Sequence, residues 1–162
     1  EARIRAIRSA AQLCCAILVG VALTVLVLEL ALRGLGGSAY VAVRHAEYDY
    51  FTWFIGLVFL PTIVTVVMLV ITTYKAHSPV RRPALLALGL IVVASAITLA
   101  VNGPINVEQL SWSTQSPPAD WAAIRDRWQI AHAVRTLALI LALVALSTPA
   151  TARRTGHSPD EA

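Results

Sequence analysis

On the fourth apolar stretch of this 162-residue chain, Trp121, Arg125, Trp128, His132, Arg135 and Leu139 recur at spacings of four and three. On a helix those intervals stack side chains along one face, so two indoles, two guanidiniums and an imidazole form a single stripe. A charged stripe at membrane depth faces a protein interior or a wet cavity, because facing lipid is costly. One turn from Arg135 and among apolar helices, His132 is expected to be a neutral imidazole able to take up a proton. The plainer alternatives are a hydrogen-bonded core histidine and a snorkelling interfacial helix with aromatic anchors. Glu29 can pair with Arg33 at i+4 or with Arg135 across a bundle, as a structural salt bridge or as a catalytic carboxylate. Asn102 and Asn106 offer two amides that orient a polar substrate without charge, although asparagine is also common in turns. His45 and Glu47, with Asp49 close by, can reach the same level.

A metal site drawn from His45, His132 and Glu29 or Glu108 would suit copper or iron by ligand type. No HxxxH, HExxH or CxxC spacing marks one. Cys14 and Cys15 are adjacent, so they make neither a redox motif nor a loop-closing bridge, and serve as small packing residues. The cofactor requirement therefore stays open between none and a copper or iron ion.

The elements that position these residues follow from composition. Hydrophobic residues make up 57% of the chain and charged ones 14%, against about 25% charged in soluble domains. Uncharged runs cover residues 9–28, 50–74, 83–107 and 136–152, and spanning the hydrocarbon takes about 20 apolar residues. The fourth run reaches that length once 130–134 are added. Apolarity on all sides excludes barrel strands, and lipid offers an open backbone no partner, so each run must be a helix. The expectation is an all-α integral membrane four-helix bundle, a single domain over residues 1–150. Its spans are about 8–33, 50–75, 83–102 and 130–148. The fourth is extended outward from about 120, with Asp120 as N-cap, and residues 151–162 form a polar cytoplasmic tail. The first span exceeds the h-region of a signal peptide and lacks a good cleavage site, so it is expected to be retained. Outer loops are expected at 38–49 and 105–118, a kink at Pro61, and a break after helix three at Asn102-Gly-Pro104.

Charge sets the sidedness. The net charge is +4, but its placement argues for topology and against nucleic acid. Arg3, Arg5, Arg8, Lys75, Arg81, Arg82, Arg153 and Arg154 fall on one side, and acidic residues dilute the arginines of the other. Basic excess marks the cytoplasmic face, which puts both termini in the cytoplasm of a multi-pass protein of the cell membrane. Counting about 30 Å of helix outward from Arg8, Arg82 and Arg154 arrives at Glu29, Asn102 and the vicinity of Arg135. Tyr50 sits in an aromatic belt at that level. The polar residues thus converge on one height. The implied partners are the bilayer and an apolar small molecule, and a homo-oligomer is compatible with the sequence.

Asn102-Gly-Pro-Ile-Asn106, then Pro118-Ala-Asp-Trp121, then Arg127-Trp128 followed by His132 and Arg135 resembles the signature of the anthrone oxygenase-like family of small four-helix membrane proteins. The match covers about 102–135; the first two helices agree only in hydropathy and in a polar, aromatic outer loop. The resemblance implies an oxygenase that uses molecular oxygen on an apolar aromatic substrate with an acidic C–H or a phenol. On that reading His132 abstracts the proton and Arg135 stabilises the oxyanion. Asn102 and Asn106 orient the substrate oxygens, Trp128 stacks on its rings, and Trp121, Arg125 and Glu29 complete the binding set. The competing reading is a non-enzymatic membrane protein, either a binding module for an apolar molecule or an accessory subunit that docks through its polar cap. Transport ranks low, because no ionisable residue lies near the bilayer midplane.

Overall fold

The computed structural model describes residues 1–149; the expected tail at 151–162, with Arg153 and Arg154, lies outside the described residues. Helices α1 (Ala2–Leu32), α2 (Gly37–Lys75), α3 (Arg81–Ile97), α4 (Gly103–Leu110) and α5 (Trp121–Ser147) account for nearly all of it, with one π-helical turn at Thr98–Asn102. No strand occurs among the described residues. The π turn joins α3 and α4 into one rod, Arg81–Leu110, and the four resulting rods are each long and apolar enough to cross a membrane.

The rods close into a ring in which α1 packs on α2, α2 on α3, α3 on α5 and α5 on α1. Arg8 donates to the carbonyls of Leu146 and Thr148, and Gln12 donates to that of Leu146. The start of α1 and the finish of α5 therefore share one end of the bundle, called proximal here, with a cation on the free carbonyls of α5 where the helix dipole favours it. Small residues line the ring's interior. Ala11, Cys15, Leu18 and Ala22 of α1, Ala84, Ala87, Ile91 and Ala94 of α3, and Ala138, Ala142 and Ala145 of α5 are all buried. In lipid no hydrophobic force pushes helices together, so association depends on close packing, which small side chains permit. Larger aliphatics divide, with Leu18, Leu69, Ile91, Leu139 and Leu146 inside and Leu13, Leu57, Leu86 and Leu99 exposed on the outside of the ring.

Two stretches, one expected as a loop and one as a break, are helical. Helix α2 begins at Gly37, well before Tyr50, and its 39 residues extend roughly 58 Å, about twice the hydrocarbon thickness. Its first turns therefore stand beyond the apolar layer. They are stable there because Tyr40, Val41, Arg44 and Tyr48 fall on one face, where Tyr40 and Val41 pack with Trp112 in a small second core. The helix must start on glycine: a Cβ at Gly37 would meet Trp121 Nε1 at 2.9 Å and Pro117 Cγ at 3.2 Å.

The second stretch is Asn102-Gly-Pro104, which widens the helix and does not break it. In the π turn the Gly103 N–H reaches the Thr98 carbonyl, and Pro104, which has no N–H to continue that ladder, follows directly in the first turn of α4. The last distal connection shrinks to 111–120. Asp120 stands at the N-cap of α5 without a side-chain capping bond. Helix α2 continues through Pro61.

Candidate active site

The polar residues of the distal end are organised by Arg44, on the protruding turns of α2. Its Nε donates to Gln109 Oε1 at 2.9 Å and its NH2 to Asn106 Oδ1 at 2.9 Å, both on α4. Its NH1 donates to Glu29 Oε1 on α1 at 3.0 Å and to Glu47 Oε2, one turn along, at 3.1 Å. Its guanidinium also lies 4.7 Å from the ring centre of Trp128 on α5, within cation–π range. One side chain thus ties α1, α2, α4 and α5 together. Its planar fork of donors suits this, where a lysine could not satisfy so many directions.

Glu29 is 2% exposed. Its Oε1 accepts from Arg44, and Gln129 Nε2 donates to its Oε2 at 3.1 Å and to its backbone carbonyl at 2.9 Å. The expected partners, Arg33 and Arg135, are both elsewhere: Arg33 reaches Asp126 at 2.9 Å. The reason is length and direction, since Arg44 hangs directly over the distal end of α1 once α2 is helical there.

Trp128 donates from Nε1 to Asn106 Oδ1 at 2.7 Å, and its indole lies parallel to the His132 ring, 5.0 Å between centres. Asn102 donates from Nδ2 to the Trp128 carbonyl at 3.0 Å. Two buried amide oxygens, Asn102 Oδ1 and Gln129 Oε1, have no hydrogen-bond partner among the described residues, a cost the fold carries in this polar layer.

His132 is 1% exposed. Arg135 donates to His132 Nδ1 from Nε at 3.0 Å, with its NH2 2.7 Å from the same atom. Nδ1 is therefore the acceptor, and the ring proton sits on Nε2, which donates to the Ala22 carbonyl at 2.9 Å. Arg135 NH1 donates to Thr98 Oγ1 in the π turn at 2.9 Å. No carboxylate lies within ion-pair distance of Arg135 among the described residues.

Between these groups lies a cavity of about 410 Å³. Glu29, Arg44, Glu47, Thr98, Asn106, Trp128 and Arg135 supply its polar and aromatic wall, and Val25, Leu28, Phe51, Ile55, Leu99 and Val107 the apolar remainder. Leu28, Leu99 and Val107 are also exposed on the outside of the bundle, so the rim of the cavity is greasy.

Of the residues singled out from sequence, Glu29, Asn106, Trp128 and Arg135 meet in this wall. His132 and Asn102 stand directly behind it, holding Arg135 and the Trp128 backbone. Trp121 and Arg125 do not belong to it. Trp121 packs on Tyr40 at 5.5 Å, Arg125 stacks on Trp121 at 5.0 Å, and Arg125 binds Asp126, so both serve the small distal core. The metal candidates do not converge. His45 Nε2 bonds the Gln109 carbonyl, His132 is committed at both nitrogens, and Glu108 is exposed away from the cavity. No group of three or more His, Cys, Asp or Glu side chains able to hold a metal occurs among the described residues. Arg44 and Gln109 were not among the sequence candidates for binding. The signal that could have found Arg44 is the Tyr40, Arg44, Tyr48 interval of four, which marks a helix face.

Four rods long and apolar enough to cross a membrane, with a cavity that has arginines in its wall toward one end, define a small multi-pass membrane protein. A family model described as anthrone oxygenase matches residues 50–145. That is more than half of the chain, and the protein belongs to the anthrone oxygenase family. No curated protein and no solved structure matches it.

Proposed function

We propose that the protein is a membrane-embedded oxygenase that oxidises a small apolar aromatic substrate in the distal cavity, on the non-cytoplasmic side of the cell membrane. The observation that carries the reading is Arg135. It is a guanidinium without a carboxylate partner among the described residues, aimed by His132 and Thr98, in the wall of a largely apolar cavity. Burying such a charge is expensive unless something negative completes it, and an enolate or phenolate oxygen is the complement a flat aromatic substrate brings. Family membership and the membrane-crossing helices support oxygenase chemistry on a greasy substrate.

Within this reading the proton acceptor is a carboxylate and not His132, whose only ring lone pair is already held by Arg135. Glu47 lines the cavity and gives just one of its oxygens to Arg44. It takes the acidic C–H proton while Arg135 holds the oxyanion and Trp128 lies against the rings. The carbanion passes electrons to molecular oxygen. One oxygen atom becomes the new ring carbonyl, the other leaves as water, and the methylene carbon is the atom oxidised.

The test is oxygen uptake with a dihydroxyanthrone by the purified protein in lipid nanodiscs, against empty nanodiscs for autoxidation. Removing an oxyanion donor costs about 10²–10³ in kcat in other enzymes, so Arg135→Ala should lose about 100-fold or more. Equal rates for Arg135→Ala and wild type, or a wild type no faster than empty nanodiscs, would refute the proposal.

A further inference from the structure

Below the polar cavity, between α1 and α2, a second hollow opens on the outside of the bundle. Ile17, Gly20, Val21 and Thr24 form one side and Phe54 the other, and the hollow shares Val25 and Phe51 with the cavity above. The two spaces are therefore neighbours that share those two side chains as a common wall. The hollow exists because α1 carries no side chain at Gly20, where a Cβ would find nothing within 4 Å. It is apolar throughout. Its single hydroxyl, Thr24 Oγ1, donates back to the Gly20 carbonyl at 2.9 Å, which turns the threonine methyl outward. Gly20 lies nine residues from Glu29, about 14 Å deeper along α1.

This pairing of a charged upper chamber with an apolar hollow beside it, deeper along α1, has the polarity of an amphiphile standing in one leaflet. We infer that the hollow is a second subsite, one that takes the hydrocarbon chain of a substrate whose acidic head is held at Arg135. The inference rests on the proposed function for the head group and adds the chemical class of the tail: an unbranched alkyl or alkenyl substituent on the aromatic nucleus. Lipid is as apolar as the hollow, so the chain gains little affinity merely by moving from one to the other. What the subsite contributes is alignment, fixing the depth and rotation of the rings against Arg135 and Trp128.

The experiment compares a dihydroxyanthrone with its octyl-substituted counterpart, in nanodiscs, each at equal concentration within the bilayer. Both binding, by quenching of tryptophan fluorescence, and oxygen uptake are read. Wild type should favour the octyl compound at least fivefold in kcat/KM or in Kd. Gly20→Phe, which fills the hollow from a lipid-facing position, should abolish that preference and leave the unsubstituted compound unaffected. Phe54→Ala, which widens the hollow, should extend the preference to a branched chain. Equal handling of the two compounds by wild type, or a preference that survives Gly20→Phe as it would with bulk lipid in the hollow, overturns the inference. Chain-dependent binding without oxygen uptake would remove the oxygenase reading and leave the subsite standing.

Discussion

Replacing Arg44 with methionine keeps an unbranched, flexible side chain as far as the position of Nε and removes its charge and all four of its hydrogen bonds. The four losses are unequal. Glu47 and Asn106 face the cavity, where water can take the place of the guanidinium. Glu29 belongs to the same wall but recovers least, because its carboxylate is 2% exposed against 24% for Glu47 and would keep only Gln129 as a partner. Breaking a buried ion pair from one side costs about 3–5 kcal/mol, so Arg44→Met should destabilise the bundle by about that much. Glu29→Gln alone should cost less, about 1–2 kcal/mol, since Arg44 retains Glu47, Asn106 and Gln109. In the double variant the buried carboxylate of Glu29 is no longer present to be left unpaired. Its cost should fall short of the sum of the two by at least about 1.5 kcal/mol, a coupling within the range seen for residues in contact. The assay is reversible unfolding by dodecyl sulfate in mixed micelles, followed by circular dichroism, for all four proteins of the cycle. Costs that add to within about 0.5 kcal/mol, or an Arg44→Met variant as stable as wild type, would refute Arg44 as the organiser of the distal end.

His132→Asn places an amide oxygen near the position of Nδ1 and should still accept from Arg135. It should keep oxygen uptake within about fivefold of wild type, equivalent to about 1 kcal/mol, while His132→Leu should fall much further. Equal loss in the two variants would point back to His132 as the base. Thr98→Val removes one bond to Arg135 without changing shape and should cost about 1 kcal/mol, read as a fivefold drop in kcat/KM. Gly37→Val must displace Trp121 or Pro117 and should destabilise by about 1–3 kcal/mol. The dodecyl sulfate midpoint would fall accordingly, and an unchanged midpoint would contradict the close approach.

The four spans were legible because lipid demands long runs without charge, a signal that survives any detail of packing. The level of the polar layer was legible for a related reason. A rise of 1.5 Å per residue converts counting into depth, and counts from Arg8 and Arg82 led to Glu29 and Asn102. Arg44 was hidden by the same reasoning. Residues 38–49 are polar and follow a glycine-rich turn, so a search for apolar runs reads them as a loop, whereas a helix outside the hydrocarbon can be polar and lean on Trp112 and Trp121. Hydrogen bonds across helices leave no trace in spacing. Spacing therefore offers Glu29 only Arg33 or Arg135, and leaves His132 open between a proton-accepting imidazole and a hydrogen-bonded core histidine, whereas in the fold Arg135 and the Ala22 carbonyl occupy both nitrogens. Trp121 and Arg125 share a stripe with Trp128, but the stripe runs past the cavity into a different cluster.

The π turn at Thr98–Asn102 holds one residue more than an α-helical turn would. Deleting a residue there would give a regular helix of nearly identical hydropathy. It would also rotate everything beyond it by about 100°, swinging Asn106 and Gln109 away from Arg44 and Trp128. A search by composition or span length would not register that change. A designer straightening the helix for stability would erase the polar wall of the cavity while improving the scaffold. The extra residue therefore works as a register mark: chains that share the four spans but lack it would have the same shape in the membrane and a different distal chamber.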